Sequence, residues 1–84
     1  MPYIKRENRE SLRDGTRAAS NAGDLNYQIT LLLDDYLTRR GLNYGNLNEL
    51  VGVLECAKME LYRRIAVPYE DKKIKENSDV YTVA

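Results

Sequence analysis

Between Glu60 and Lys73 the chain gathers the side-chain types that recognise anions. The run reads Glu60-Leu61-Tyr62-Arg63-Arg64-Ile65-Ala66-Val67-Pro68-Tyr69-Glu70-Asp71-Lys72-Lys73. An arginine grips phosphate with two parallel N–H donors, a lysine adds a point charge, and a tyrosine face stacks on a base. Tyr62, Arg63, Arg64, Tyr69, Lys72 and Lys73 are therefore the candidate ligand-binding residues for an anion of nucleotide type. An arginine or tyrosine from the basic N-terminal segment of a second subunit would complete such a pocket. Arg63 and Arg64 stand about 100° apart on a helix, so at most one of them faces a given ligand. The competing reading is a solvated helix face with ordinary helix-end electrostatics.

Catalytic chemistry finds little support. The chain has no histidine, which removes the Ser-His-Asp and Cys-His arrangements. Its glycines, at 15, 23, 41, 45 and 52, match neither a Walker loop nor a dinucleotide fingerprint. Cys56 is the only cysteine, so no internal disulfide forms, and a structural zinc site lacks its donors. Between Glu55 and Ala57, close to an apolar stripe, Cys56 reads as a buried, inert thiol. Glu7/Glu10 and Glu76/Asp79 have the i,i+3 spacing that puts two carboxylates on one helix face. Asp34, Asp35, Glu49, Glu55 and Glu60 form no paired motif, and magnesium needs convergent oxygen ligands. A metal-dependent nucleotide pyrophosphohydrolase is thus the least favoured reading, with Glu55 and Glu60 as its test positions. No catalytic residue, metal ligand or cofactor is assigned.

Those residues need elements to hold them, and two strong helices are legible. From Asp24, a candidate N-cap, the apolar positions Leu25, Ile29, Leu32, Leu33, Tyr36 and Leu37 trace one helical stripe. Arg39 and Arg40 suit the last turn and Gly41 the position after it, giving a helix over about 24–40. Asn46 then caps a second helix over about 46–67, with Leu47, Leu50, Val51, Leu54, Leu61 and Ile65 as its stripe. Gly52, inside that helix, offers room for another helix to approach. The short connection predicts an antiparallel hairpin. Pro68 breaks the helix and opens a short charged one over 68–76, with Asp71–Lys75 and Lys72–Glu76 at pairing distance. Residues 6–13 form a short helix anchored by Leu12, and Asp14-Gly15 marks a turn. The fold class is all-α: one small helical domain over 1–84, with weaker helical signals at 1–22 and 77–84, the last residues forming a tail that docks on a neighbour.

Composition narrows the partners. A chain of 84 residues makes one domain, and one this small hides only roughly 60–65% of its unfolded surface, so self-association is a natural source of added stability. Thirteen acidic and thirteen basic residues cancel, which argues against duplex nucleic acid as a partner. The balance tilts locally, since residues 1–22 hold Lys5, Arg6, Arg9, Arg13 and Arg17 against Glu7, Glu10 and Asp14. Seven tyrosines with no Phe or Trp suit an interface or a stacking surface better than a core. Leu31-Leu32-Leu33 falls far short of the roughly 20 apolar residues of a membrane span, and the opening residues lack a signal-peptide core. The expected location is cytoplasmic.

The chain also resembles a family of short uncharacterised proteins of bacteriophages and prokaryotes. The likeness lies in Met1-Pro2-Tyr3-Ile4, in Gly23-Asp24-Leu25-Asn26-Tyr27-Gln28-Ile29-Thr30, and in the stretch from Gly52 to Arg64. It continues through Pro68-Tyr69-Glu70-Asp71-Lys72-Lys73-Ile74 and Glu76-Asn77-Ser78-Asp79-Val80-Tyr81, where the family pattern has glycine in place of Ser78. Serine there disfavours a left-handed turn. The resemblance implies no activity, cofactor or catalytic residue. It implies a phage setting, in which small proteins act as inhibitors of host machinery or as sponges for nucleotide immune signals. The function expected from residues and resemblance together is a non-enzymatic, homo-oligomeric binding protein that captures a nucleotide-type anion. A protein–protein inhibitor or adaptor acting on a host protein is the alternative.

Overall fold

A computed structural model describes residues 1–83, and every regular element among them is a helix. A 3-10 turn, Arg6–Asn8, leads into α1 (Arg9–Arg13); α2 (Ala22–Arg40) and α3 (Tyr44–Leu61) follow, then a π-helical turn, Tyr62–Ala66, and α4 (Val67–Asn77). The all-α class is therefore correct, with two long helices joined by a short loop. Ala84, the end of the tail expected to dock on a neighbour, lies outside the described residues. The chain divides into two compact units, Met1–Asn48 and the residues from Glu49 onward.

In the first unit α1 packs on α2, with Leu12 and Tyr27 buried. Leu12 is the anchor expected for residues 6–13. On α2 the expected stripe is not the buried face: Leu25, Ile29 and Leu32 are exposed, and Tyr27 is the residue that α1 covers. The helix also opens two residues earlier than Asp24. Asn21 is its N-cap, the Asn21 side chain accepting from the Asp24 N–H at 2.8 Å. Asp24 falls in the first turn, where the positive end of the helix dipole favours a carboxylate. At the other end Gly41 adopts φ 103° and donates its N–H to Leu37 O at 2.8 Å. That backbone conformation is one that a side chain opposes.

The start of α3 corrects a second cap. Asn43, not Asn46, caps the helix: its side-chain oxygen accepts from the Asn46 N–H at 2.9 Å. Asn46 is buried and turns its amide backward, donating to Arg40 O at 3.0 Å and to Gly41 O at 2.9 Å. One side chain thus satisfies two carbonyls that the end of α2 leaves without helical partners.

In the second unit the helix does not break at Pro68. α3, the π turn and α4 run on without a non-helical residue. An α-helical path would drive the proline ring into the carbonyl of residue 64 and leave that carbonyl without a donor. The wider π turn accommodates the ring, and the Val67 N–H reaches back five residues to Tyr62 O. The run ends at Ser78, which takes φ 74° and ψ 151° although it is not glycine, and donates its N–H to Ile74 O at 2.8 Å. The positive φ that serine disfavours is adopted here all the same. Along α3 and the π turn only Leu50 of the expected stripe is buried; Leu47, Val51, Leu54, Leu61 and Ile65 are exposed, and among the described residues none comes within 4 Å of the Cβ position of Gly52 from outside its own helical turn.

Candidate functional site

The six candidate residues fall on two adjoining elements but do not converge on one pocket. Tyr62, Arg63 and Arg64 occupy the π turn; Tyr69, Lys72 and Lys73 lie on α4. Tyr62 and Arg63 line an open trough of about 740 Å³, together with Glu55, Cys56, Lys58, Met59, Glu60 and Val67. Arg64, Tyr69, Lys72 and Lys73 are not part of that lining. Lys73 lines a smaller depression near the chain end, with Ile74, Asn77 and Tyr81 among its walls. Its ammonium sits 5.5 Å from the centre of the Tyr69 ring and 3.2 Å from Glu76 Oε2. Lys73–Glu76 therefore forms where Lys72–Glu76 was expected.

The arginines are drawn to one carboxylate. Arg63 Nη2 donates to both Glu60 oxygens, at 3.2 and 3.1 Å, and Arg64 Nη1 lies 3.6 Å from Glu60 Oε1. Glu60 and Arg64, four residues apart, are neighbours on one helix face. These pairs are exposed, so an incoming phosphate can displace Glu60 at small cost. Lys58 sits 3.6 Å from Glu55 in the same way. Chemically the trough offers an apolar side, from Met59 and Val67, a tyrosine ring, and one arginine at its edge. Glu55 and Glu60, the test positions for metal chemistry, both line it, yet each faces a cation. Among the described residues no three His, Cys, Asp or Glu side chains converge as metal ligands.

Cys56 departs from expectation. It is exposed and lines the trough rather than packing inside a core. The reason is angular: at about 100° per residue, Cys56 points well away from the Val51–Leu54–Leu61 stripe.

The basic N-terminal segment turns out to be engaged within its own unit. Arg17 donates to Asp24 Oδ2 at 2.7 Å, to Ser11 Oγ at 3.1 Å and to Asn8 O at 2.9 Å. Arg13 Nη2 donates to the Tyr27 hydroxyl at 2.9 Å, and Arg9 Nε donates to Ile4 O at 2.9 Å while its guanidinium lies 5.7 Å from the Tyr27 ring centre. Asp24, nearly inaccessible, also accepts from the Ser20 N–H at 3.2 Å and the Ser20 hydroxyl at 3.1 Å. The Arg17 guanidinium first, and the Ser20 amide second, hold its carboxyl below the ordinary aspartate value of 3.8. This polar node went unseen in the sequence because its parts are scattered from Asn8 to Tyr27. The signal that could have found it is the regular Arg9, Arg13, Arg17 spacing on the approach to a capped helix. Among the described residues no helix is long and apolar enough to cross a membrane.

The family described as "Domain of unknown function (DUF6899)" matches residues 1–80, and the chain belongs to that family. No curated protein and no solved structure matches the chain.

Proposed function

We propose that this chain is a non-enzymatic, homo-oligomeric binding protein that captures an anionic ligand of nucleotide type at the π turn. The observation that supports it is the placing of Tyr62 and Arg63 side by side on one open trough with an apolar wall. A ring to stack on a base and a guanidinium to hold a phosphate are the two halves of that recognition. Lys72 and Lys73, further along α4, add positive charge on the approach, and Arg64 competes with Arg63 for Glu60. The likeness to short phage proteins supports a phage-encoded role in the host cytoplasm, as a sponge for a nucleotide immune signal.

The test is to mix the purified protein with linear and cyclic nucleotides and follow binding and chemical fate by mass spectrometry. A ligand recovered intact after denaturation supports sequestration, and Arg63→Ala should then weaken binding more than Arg64→Ala. A hydrolysed product would instead point to the magnesium-dependent phosphohydrolase, with turnover lost on changing Glu55 or Glu60. An absence of binding, or affinity unchanged in both arginine variants, removes the site.

A second reading draws on a different observation, the exposed Tyr44, Tyr62, Tyr69 and Tyr81. Exposed tyrosines suit a protein–protein inhibitor or adaptor acting on a host protein. Host lysate passed over the immobilised protein should yield one stoichiometric band in that case.

A further inference from the structure

We infer that α3, with the π turn that continues it, pairs antiparallel with the same run of a second copy of this chain, through Val51, Leu54, Lys58, Leu61 and Ile65. The inference concerns the helix face that carries these residues, and it does not depend on the ligand proposed above. Three observations carry it.

The first is spacing. Leu47, Val51, Leu54, Lys58, Leu61 and Ile65 follow one another in steps of 4, 3, 4, 3 and 4. That is the heptad pattern, with Val51, Lys58 and Ile65 at one seam position and Leu47, Leu54 and Leu61 at the other. β-Branched residues at the first and leucines at the second are the composition of a two-helix seam. At about 100° per residue the five within α3, from Leu47 to Leu61, span roughly 80° of the helix surface, a stripe as narrow as such seams are.

The second is that the stripe lies open. Val51 is 68% exposed, Leu61 63% and Ile65 63%, and the Cβ position of Gly52 beside them meets nothing within 4 Å. Apolar side chains left open in a seam repeat, self-complementary when the helix is reversed, fit the same face of a second copy.

The third is charge, which sets direction. Parallel pairing would place Lys58 against Lys58 of the second copy inside the seam. Antiparallel pairing with Val51 opposite Leu61 places each Lys58 opposite Leu54 and next to Glu55 of the other copy, and the two ammonium groups part. In that register Leu47 meets Ile65. Met59, Cys56 and Arg63 point away from the seam, and Lys58, which lines the trough as well, stands where seam and trough meet.

Sedimentation of the full-length chain without ligand tests the pairing. It should report twice the 9.7 kDa chain mass at micromolar concentration. Val51→Asp and Leu61→Asp should each raise the dimer dissociation constant by at least about tenfold, while Val53→Asp, exposed on another face, leaves it unchanged. Because an aspartate can disturb folding, a second measurement keeps the native stripe. In a Cys56→Ser background, Val51→Cys protein mixed with Leu61→Cys protein should form the mixed disulfide in preference to either self-pair. A monomer at every concentration, a dimer indifferent to both stripe variants, or self-crosslinking of the Val51→Cys protein overturns the inference. An assembly larger than a dimer that lacks the mixed disulfide does so too. A monomer would also remove the homo-oligomeric part of the proposed function, whereas nucleotide capture is read separately by mass spectrometry.

Discussion

At Asp24 a carboxylate that scarcely touches water is held by a guanidinium, a backbone amide and a hydroxyl. Each stabilises the charged form, so the folded chain gives up this proton at lower pH than the unfolded chain does. The stabilisation is therefore complete above the ordinary aspartate value of 3.8 and drains away as pH falls through the depressed folded value. Asp14, held down by the Thr16 amide and hydroxyl, titrates in the same direction. Melting temperatures measured from pH 7 downward should fall steeply below pH 4, and Asp24→Asn should lower the melt at pH 7 and flatten the decline. Ser78 gives a prediction of opposite sign. Its φ of 74° belongs to glycine territory, so Ser78→Gly should steady the C-terminal turn by about 1 kcal/mol. Roughly fivefold slower hydrogen exchange at the Tyr81 amide, which donates to Asp79, would report it. Sequence reading placed acid and cap residues in the right turns but assigned the wrong partners. Asn21 and Asp24 are both good N-caps, as are Asn43 and Asn46, and only the path of the chain decides between them.

At the scale of elements, Asn46 joins the end of α2 to the beginning of α3 by two amide donors. Asn46→Ala strips both carbonyls of a partner and should cost about 1–3 kcal/mol in urea unfolding. Asn46→Asp, of the same shape but unable to donate, should be no better than alanine. The π turn is the other element with a clear cause. Pro68→Ala restores an N–H to bond Arg64 O and removes the ring that opposes an α-helical path, so the turn should tighten to α geometry. Backbone chemical shifts and i,i+4 contacts over 62–68 would show this, and the trough rimmed by Tyr62 and Arg63 should change shape with it. Helices α2 and α3 were legible because a 3.6-residue apolar period repeats over many residues. The uninterrupted passage through Pro68 was not, since a proline signals a break and a π turn in the same letters.

At the scale of the molecule, the apolar stripe was readable and its cover was not. A hydrophobic period says that a face will be buried, and it is silent on whether the same chain or another one does so. Pairing through α3 makes stability a matter of mass action, so the melting temperature should climb with protein concentration, and Leu54→Asp should abolish the climb. The candidate ligand residues show the same limit. Tyr62 and Arg63 were brought to one trough, while Lys73 went to another depression, because the residues between them wind two further turns of helix that a run of letters flattens into adjacency. Glu60 and Arg64 pair at the i,i+4 spacing that the sequence shows, whereas the i,i+3 contact of Glu60 with Arg63 was not expected.

Tyr27 has a spectroscopic consequence. Its ring is enclosed, its hydroxyl accepts from Arg13, and the Arg9 guanidinium stands over its face, while Tyr3, Tyr44, Tyr62, Tyr69 and Tyr81 lie in solvent. With no tryptophan to mask it, the asymmetric environment of that phenol should dominate the aromatic circular dichroism, making the band a private reporter of the first unit. The peptide band sums every helix. Heating one sample and overlaying the two traces therefore resolves the melting of the helical run from Glu49 to Asn77 by difference, with no label attached.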